Sequence, residues 1–253
     1  DVYKRQVGII LAGIALLVAG WRLRKKRPQY AWALQGGGVG VLYLTIFAAM
    51  KLYGLIPFGA AFALLIAIAI LSATIAVLQS ALPLAILGFA SGFLTPIFTS
   101  TGQGNHVSLF SYYLVLNLAI ASIGYHKSWR PLNVLGFGFT FIIGTLWGAS
   151  SYAPQHFATT EPFLIIHFLL FTLIAVLYAH RQATKVSDYV DATLVFGTPI
   201  VGFSLQYALL KNSPFGMAYS ALALGIFYIG LAWWVLTRKR ETMQFLGECF
   251  VAL

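Results

Sequence analysis

Charge is what this sequence has least of. Charged residues fill 9% of 253 positions and only six of them are acids, where a soluble domain is about a quarter charged. With 60% hydrophobic residues and a mean hydropathy of +0.85, the chain cannot present a water-facing surface around a core, which excludes a soluble globule. Cysteine is nearly absent, and the single Cys249 excludes a disulfide framework and a cysteine-rich metal site. Strand-like alternation is missing and the apolar runs are too long for barrel strands. Helices are then the only spanning option, because hydrocarbon offers no partner to an unpaired backbone group. Catalytic signatures are missing too. His106, His126, His156, His167 and His180 form no His-Glu-x-x-His and no close pair along the chain, so zinc lacks ligands at workable spacing. No Gly-x-Ser-x-Gly elbow and no ATP-type phosphate loop occurs. Neither a metal nor a cofactor is expected, and the chain is read as a non-enzyme.

What is present is aromatic and apolar: twenty Phe, thirteen Tyr and six Trp, a composition that meets lipid. A helix needs roughly 20 mostly apolar residues to cross about 30 Å of hydrocarbon. Nine runs qualify, at about 7–21, 31–50, 57–78, 81–98, 108–125, 132–150, 162–179, 189–210 and 215–237. The expected fold is all-α, a polytopic transmembrane helix bundle of about nine spans over 7–237. Residues 1–6 read as a doubtful leader, and 238–253 as a cytoplasmic end holding the start of a truncated further helix. The larger basic cluster follows the first apolar run instead of preceding it, so that run is not a cleaved signal peptide. "DVYKRQ" begins abruptly and "QFLGECFVAL" stops as a new apolar run starts, so the chain reads as a piece of a longer protein.

The scarce bases are distributed unevenly. With the N-terminus outside, one set of connections holds Arg22, Arg24, Lys25, Lys26, Arg27, Lys127, Arg130, Arg181, Lys185, Arg238, Lys239 and Arg240. The opposite set holds Lys51 and Lys211, with Lys4 and Arg5 in the leader. Bases accumulate on the cytoplasmic side because they resist translocation, and twelve against four makes the first set topology anchors. Trp21, Trp32, Trp129, Trp233 and Trp234 fall at the same interface, where amphipathic rings sit best. The expected location is the bacterial inner membrane, with a periplasmic N-terminus and a cytoplasmic C-terminus. The connection "QSAL" between runs three and four holds no base, so that hairpin is placed by parity alone. The basic stretch 22–27 can also meet anionic lipid headgroups. Nucleic acid is not an expected partner, since the bases do not share one solvated face.

Small residues four apart, Gly36 with Gly40, Gly88 with Gly92, Gly144 with Gly148 and Ala221 with Gly225, share a helix face and point to close helix packing. Gln35, Asn117, His167 and Gln206 are polar groups inside spans, where such groups face a bundle interior or a water path. Glu161, in "ATTEPF", reads as an N-terminal acid behind a Thr160 cap, with Pro162 in the first turn. Asp188 and Asp191 read the same way. The segment 93–113, with Pro96, a polar run, Asn105 and His106, reads as a helix break able to expose backbone dipoles to a solute, or as a plain turn. "FGTPIVG", with Gly197, Pro199 and Gly202, reads as a second break, lining a cavity or forming a kink. The candidate solute-binding residues are therefore Gln35, Asn105, His106, Asn117, His167 and Gln206.

"YAWALQGGG", "GFASGFLTPIFTSTGQGNHVSLFSYYLVLNL", "WRPLNVLGFGFTFIIGTLWG" and "TEPFLIIHFLLFTLIAVLYA" resemble a bacterial family of multi-pass membrane proteins, domain of unknown function 2339. The resemblance runs from about Tyr30 to the end. It implies a longer parent protein with more helices, and it carries no activity, ligand or catalytic residue. Three functions follow from the residues: a transporter or permease for a polar or amphipathic solute, an envelope scaffold, or an intramembrane enzyme. Transport requires the mid-span polar groups to face a cavity, and a scaffold requires them to pair between helices.

Overall fold

The computed structural model describes residues 2–100, 105–181, 189–211, 213–238 and 241–253, with side chains for all of these except Arg181, Glu241 and Thr242. Among them, nine helices are long and apolar enough to cross a membrane, and no strand occurs. They are α1 (Val2–Leu23), α2 (Pro28–Lys51), α3 (Phe58–Gln79), α4 (Leu82–Thr99), α5 (His106–Lys127), α6 (Pro131–Ser151), α7 (Phe157–Arg181), α8 (Tyr189–Leu210) and α9 (Gly216–Thr237). A tenth and shorter helix, α10, covers Glu241–Val251. Each expected apolar run is a helix, with ends moved by a few residues. Proline opens α2 and α6, where its missing N–H would have had no helical partner.

The chain divides into two compact units, Asp1–Asn105 and His106–Leu253. In the first, α1 and α2 form a close hairpin. A Cβ on Gly38 would lie 2.8 Å from the Gly13 carbonyl oxygen, and one on Gly20 would lie 2.8 Å from that of Ala31. Without side chains at these points the backbones can touch, which drives packing where lipid removes the hydrophobic term. The close approaches thus fall partly where the four-residue spacing did not point. Gly36 packs on Leu87 and Gly88 on Ser72, but Gly40 faces open space. In the second unit Gly148 and Gly225 meet nothing within 4 Å. Contacts two turns apart (Gly13 with Gly20, Ala31 with Gly38) suit a hairpin whose two helices the short 24–27 turn forces to lie antiparallel.

The Tyr43 hydroxyl lies 3.0 Å from the Leu65 carbonyl oxygen and 2.8 Å from the Thr95 hydroxyl, joining α2, α3 and α4. Lys51 Nζ donates to the Ser100 carbonyl at 2.6 Å, so α4 ends beside the end of α2. Between α3 and α4 the turn closes through Ser80 in the left-handed region (φ 51°) and an Ala81 N–H to Ala76 carbonyl bond of 2.8 Å.

The second unit is organised around α7. Phe137 and Phe141 of α6 pack on Phe171 of α7 with ring centroids 5.4 and 5.7 Å away. Met243, Leu246, Cys249 and Phe250 of α10 are buried in the same core. Within α8 the segment Thr193–Gly197 is π-helical and Thr198–Leu210 is α-helical. Pro199 explains the change, since it has no N–H for the carbonyl four residues earlier and a wider turn relieves the crowding. The break expected at "FGTPIVG" is therefore this π turn.

Candidate solute-binding groove

α7 begins at Phe157, behind a short 3-10 turn at Pro154–His156. Pro162 consequently lies inside the helix instead of in its first turn, and the capping reading of "ATTEPF" is corrected. Thr160 Oγ1 is buried with no partner among the described residues. Glu161 points to another helix, where Gln206 Nε2 of α8 donates to its Oε1 at 2.6 Å. The same nitrogen lies 3.3 Å from Ser220 Oγ of α9. Glu161, Gln206 and Ser220 are each half-buried.

These three side chains form the polar end of a cavity of about 420 Å³ between α7, α8 and α9. The remaining wall is mainly apolar, with Phe168, Phe203 and Phe227 among its residues. Gly202 also lines it, and a Cβ there would meet the Phe168 ring at 3.0 Å. The arrangement has a direction. Glu161 is four residues from the start of α7, Gln206 four from the end of α8 and Ser220 four from the start of α9. At 1.5 Å per residue each polar group sits about 6 Å inside its helix end, and the lining at Leu169 and Phe227 reaches roughly 10–12 Å deeper. A molecule with a hydrogen-bonding head and a hydrocarbon tail matches that gradient, and the volume falls in the range of about 300–1,000 Å³ usual for ligand pockets.

A family model described as predicted membrane protein (DUF2339) matches residues 3–253. The chain belongs to the DUF2339 family. No curated protein and no solved structure matches it. As a DUF2339 protein with nine candidate spans it is a multi-pass membrane protein whose apolar helices sit in a lipid bilayer.

The other expected site residues of this DUF2339 chain lie elsewhere. Gln35, fully buried in α2, accepts from Gln79 Nε2 at 3.0 Å. Asn105 is exposed ahead of α5, and residues 101–104 of the suspected break lie outside the described residues. Asn117 Nδ2 donates to Thr140 Oγ1 at 2.7 Å, joining α5 to α6. His167 is buried in α7, and its Nδ1 donates to the Phe163 carbonyl at 2.8 Å. Of the six candidates, only Gln206 lines the groove. His106 meets a residue that chain spacing hid: its ring centroid is 4.9 Å from that of His156 and 4.9 Å from that of Trp147. His106 Nε2 also pairs with Thr159 Oγ1 at 2.7 Å. Among the described residues no group of three or more His, Cys, Asp or Glu is placed to hold a metal ion.

The basic residues behave in two ways. Arg22, Lys25, Lys26 and Arg27 are exposed in and beside the α1–α2 connection. Arg24 folds back over Trp21 at 3.8 Å, and Arg238 lies over Trp234 at 4.8 Å. Lys127 is exposed at the end of α5. Arg130 is different, for its Nη1 grips both oxygens of Asp191 at 2.9 and 2.7 Å, both side chains being largely buried. Asp191 lies in the first turn of α8, as expected, and is also the partner of this ion pair. The pair places the α5–α6 connection at the same end of the unit as the start of α8. Lys185, Lys239, Arg240, Asp188 and the Arg181 side chain lie outside the described residues.

Sequence reasoning missed Glu161 and Ser220 as groove residues. The available signal was that Glu161 is the one acid between Asp1 and Asp188, and an acid within a span is a functional candidate by default.

Proposed function

We propose that this chain is the membrane part of a non-catalytic bacterial inner-membrane transporter or permease for an amphipathic solute, threaded with a periplasmic N-terminus and a cytoplasmic C-terminus. One observation carries the reading: the groove between α7, α8 and α9 keeps its polar side chains near the helix ends and its apolar wall deeper. That gradient matches the membrane's own, so a solute can enter from the bilayer head-outward without inverting. With that threading, which the alternation of basic connections supports, this end of the groove opens to the periplasm. The Gln35–Gln79 and Asn117–Thr140 pairs favour a second reading, a scaffold held together by polar contacts between helices.

The test is flux. The full-length protein is reconstituted in vesicles with a fluorescent single-chain amphiphile, and Ala223→Trp, on the exposed lining of the groove, is compared with the parent. Protein-dependent flux that falls at least fivefold in A223W supports transport. Flux equal to that of protein-free vesicles supports the scaffold.

A further inference from the structure

The lining of the groove has one formal charge, and nothing among the described residues balances it. Glu161 presents a carboxylate about 6 Å inside the helix end, and no Lys, Arg or His side chain among the described residues pairs with it. Its bonded neighbour, Gln206, and the next hydroxyl in line, Ser220, are both neutral. A carboxylate taken out of water without a counter-ion is costly, and such groups within spans pair with something or mark a ligand path. The Gln206 amide satisfies one oxygen but supplies no positive charge. Tyr219, beside Ser220 in the lining, adds an aromatic face at the same level, and such faces attract cations.

We infer that the solute is a cationic amphiphile, an ammonium head on a hydrocarbon tail, with the head held at Glu161 and the tail along the phenylalanine-lined wall. The inference rests on the amphipathic-solute reading and gives that solute its charge. A neutral head leaves the carboxylate unbalanced. An anionic head adds a second negative charge beside it. The ammonium alone supplies the missing counter-ion at this half-buried carboxylate, where a charge pair is stronger than between fully solvated groups.

The experiment measures equilibrium binding to the full-length protein in vesicles of an amine-free glycolipid, digalactosyldiacylglycerol, as excess over protein-free vesicles. Four radiolabelled probes are compared: dodecyltrimethylammonium, dodecyl maltoside, dodecyl sulfate and an ethanolamine phospholipid. The expected result is at least tenfold tighter binding of the ammonium probe than of the maltoside or sulfate, lost at least tenfold in Glu161→Gln. Tight binding of the phospholipid with the same E161Q sensitivity identifies a membrane lipid as the source of the ammonium. Equal binding of the ammonium and maltoside probes, both lost in A223W, overturns the charge assignment and leaves the amphiphile reading intact. No excess binding of any probe overturns both. Ammonium binding unchanged in E161Q overturns the assignment to Glu161.

Discussion

Individual side chains in this bundle act mostly through what they omit. Gly38 faces the Gly13 carbonyl oxygen so closely that a Cβ would lie 2.8 Å from it, and Leu17 atoms fill the other side. Backbone cannot retreat as a flexible side chain can, so Gly38→Ala should cost about 1–3 kcal/mol by overpacking. Gly40→Ala, two residues away in open space, should stay within about 0.5 kcal/mol of the parent. Reversible unfolding in mixed micelles checks the pair, and equal effects would remove the close backbone approach from the account. This contrast was not legible in the sequence, because Gly36, Gly38 and Gly40 look alike in "GGGVG" and only the partner helix distinguishes them. Glu161 was misread for a related reason. Thr160-Glu161-Pro162 has the composition of a helix start, and the 3-10 turn at Pro154–His156 moved the true start five residues upstream of Pro162.

Elements were the legible level. Nine apolar runs became nine candidate spans because hydrocarbon demands internally satisfied backbone over a fixed thickness, and that demand is written in composition alone. Pairing between elements was not, since it depends on contacts between residues far apart in the chain. The Arg130–Asp191 bridge joins residues 61 apart and ties the α5–α6 connection to the start of α8, whose π turn follows two residues later. Breaking it on one side strands the other charge. Arg130→Ala should therefore destabilise the protein by about 3–5 kcal/mol, and adding Asp191→Asn should recover a large part of the loss. Thermal unfolding of the two variants decides, and a double variant as unstable as the single one would show that the pair does not hold these elements.

For the whole molecule, threading and groove are linked, because the side on which the polar end opens follows from which connections stay in the cytoplasm. The unequal share of bases is the signal from which the threading is proposed, whereas the groove was not legible in the sequence, since its three polar residues lie on three helices. Cysteines placed one at a time at the exposed positions Lys26, Lys127, Leu52 and Lys211, in a Cys249→Ala background, report the threading directly. An impermeant maleimide on intact cells should label positions 52 and 211 and spare 26 and 127; the reverse pattern would turn the groove to the cytoplasm. The central claim, that α7, α8 and α9 enclose a place for one amphiphile, is tested most directly by photolabelling. A single-chain amphiphile with a diazirine on its tail, irradiated with the reconstituted protein and mapped by mass spectrometry, should label the stretches around Phe168, Phe203 and Phe227, and unlabelled amphiphile should displace it. Label spread evenly over the lipid-facing side chains of all the spans, with no displacement, would contradict the groove.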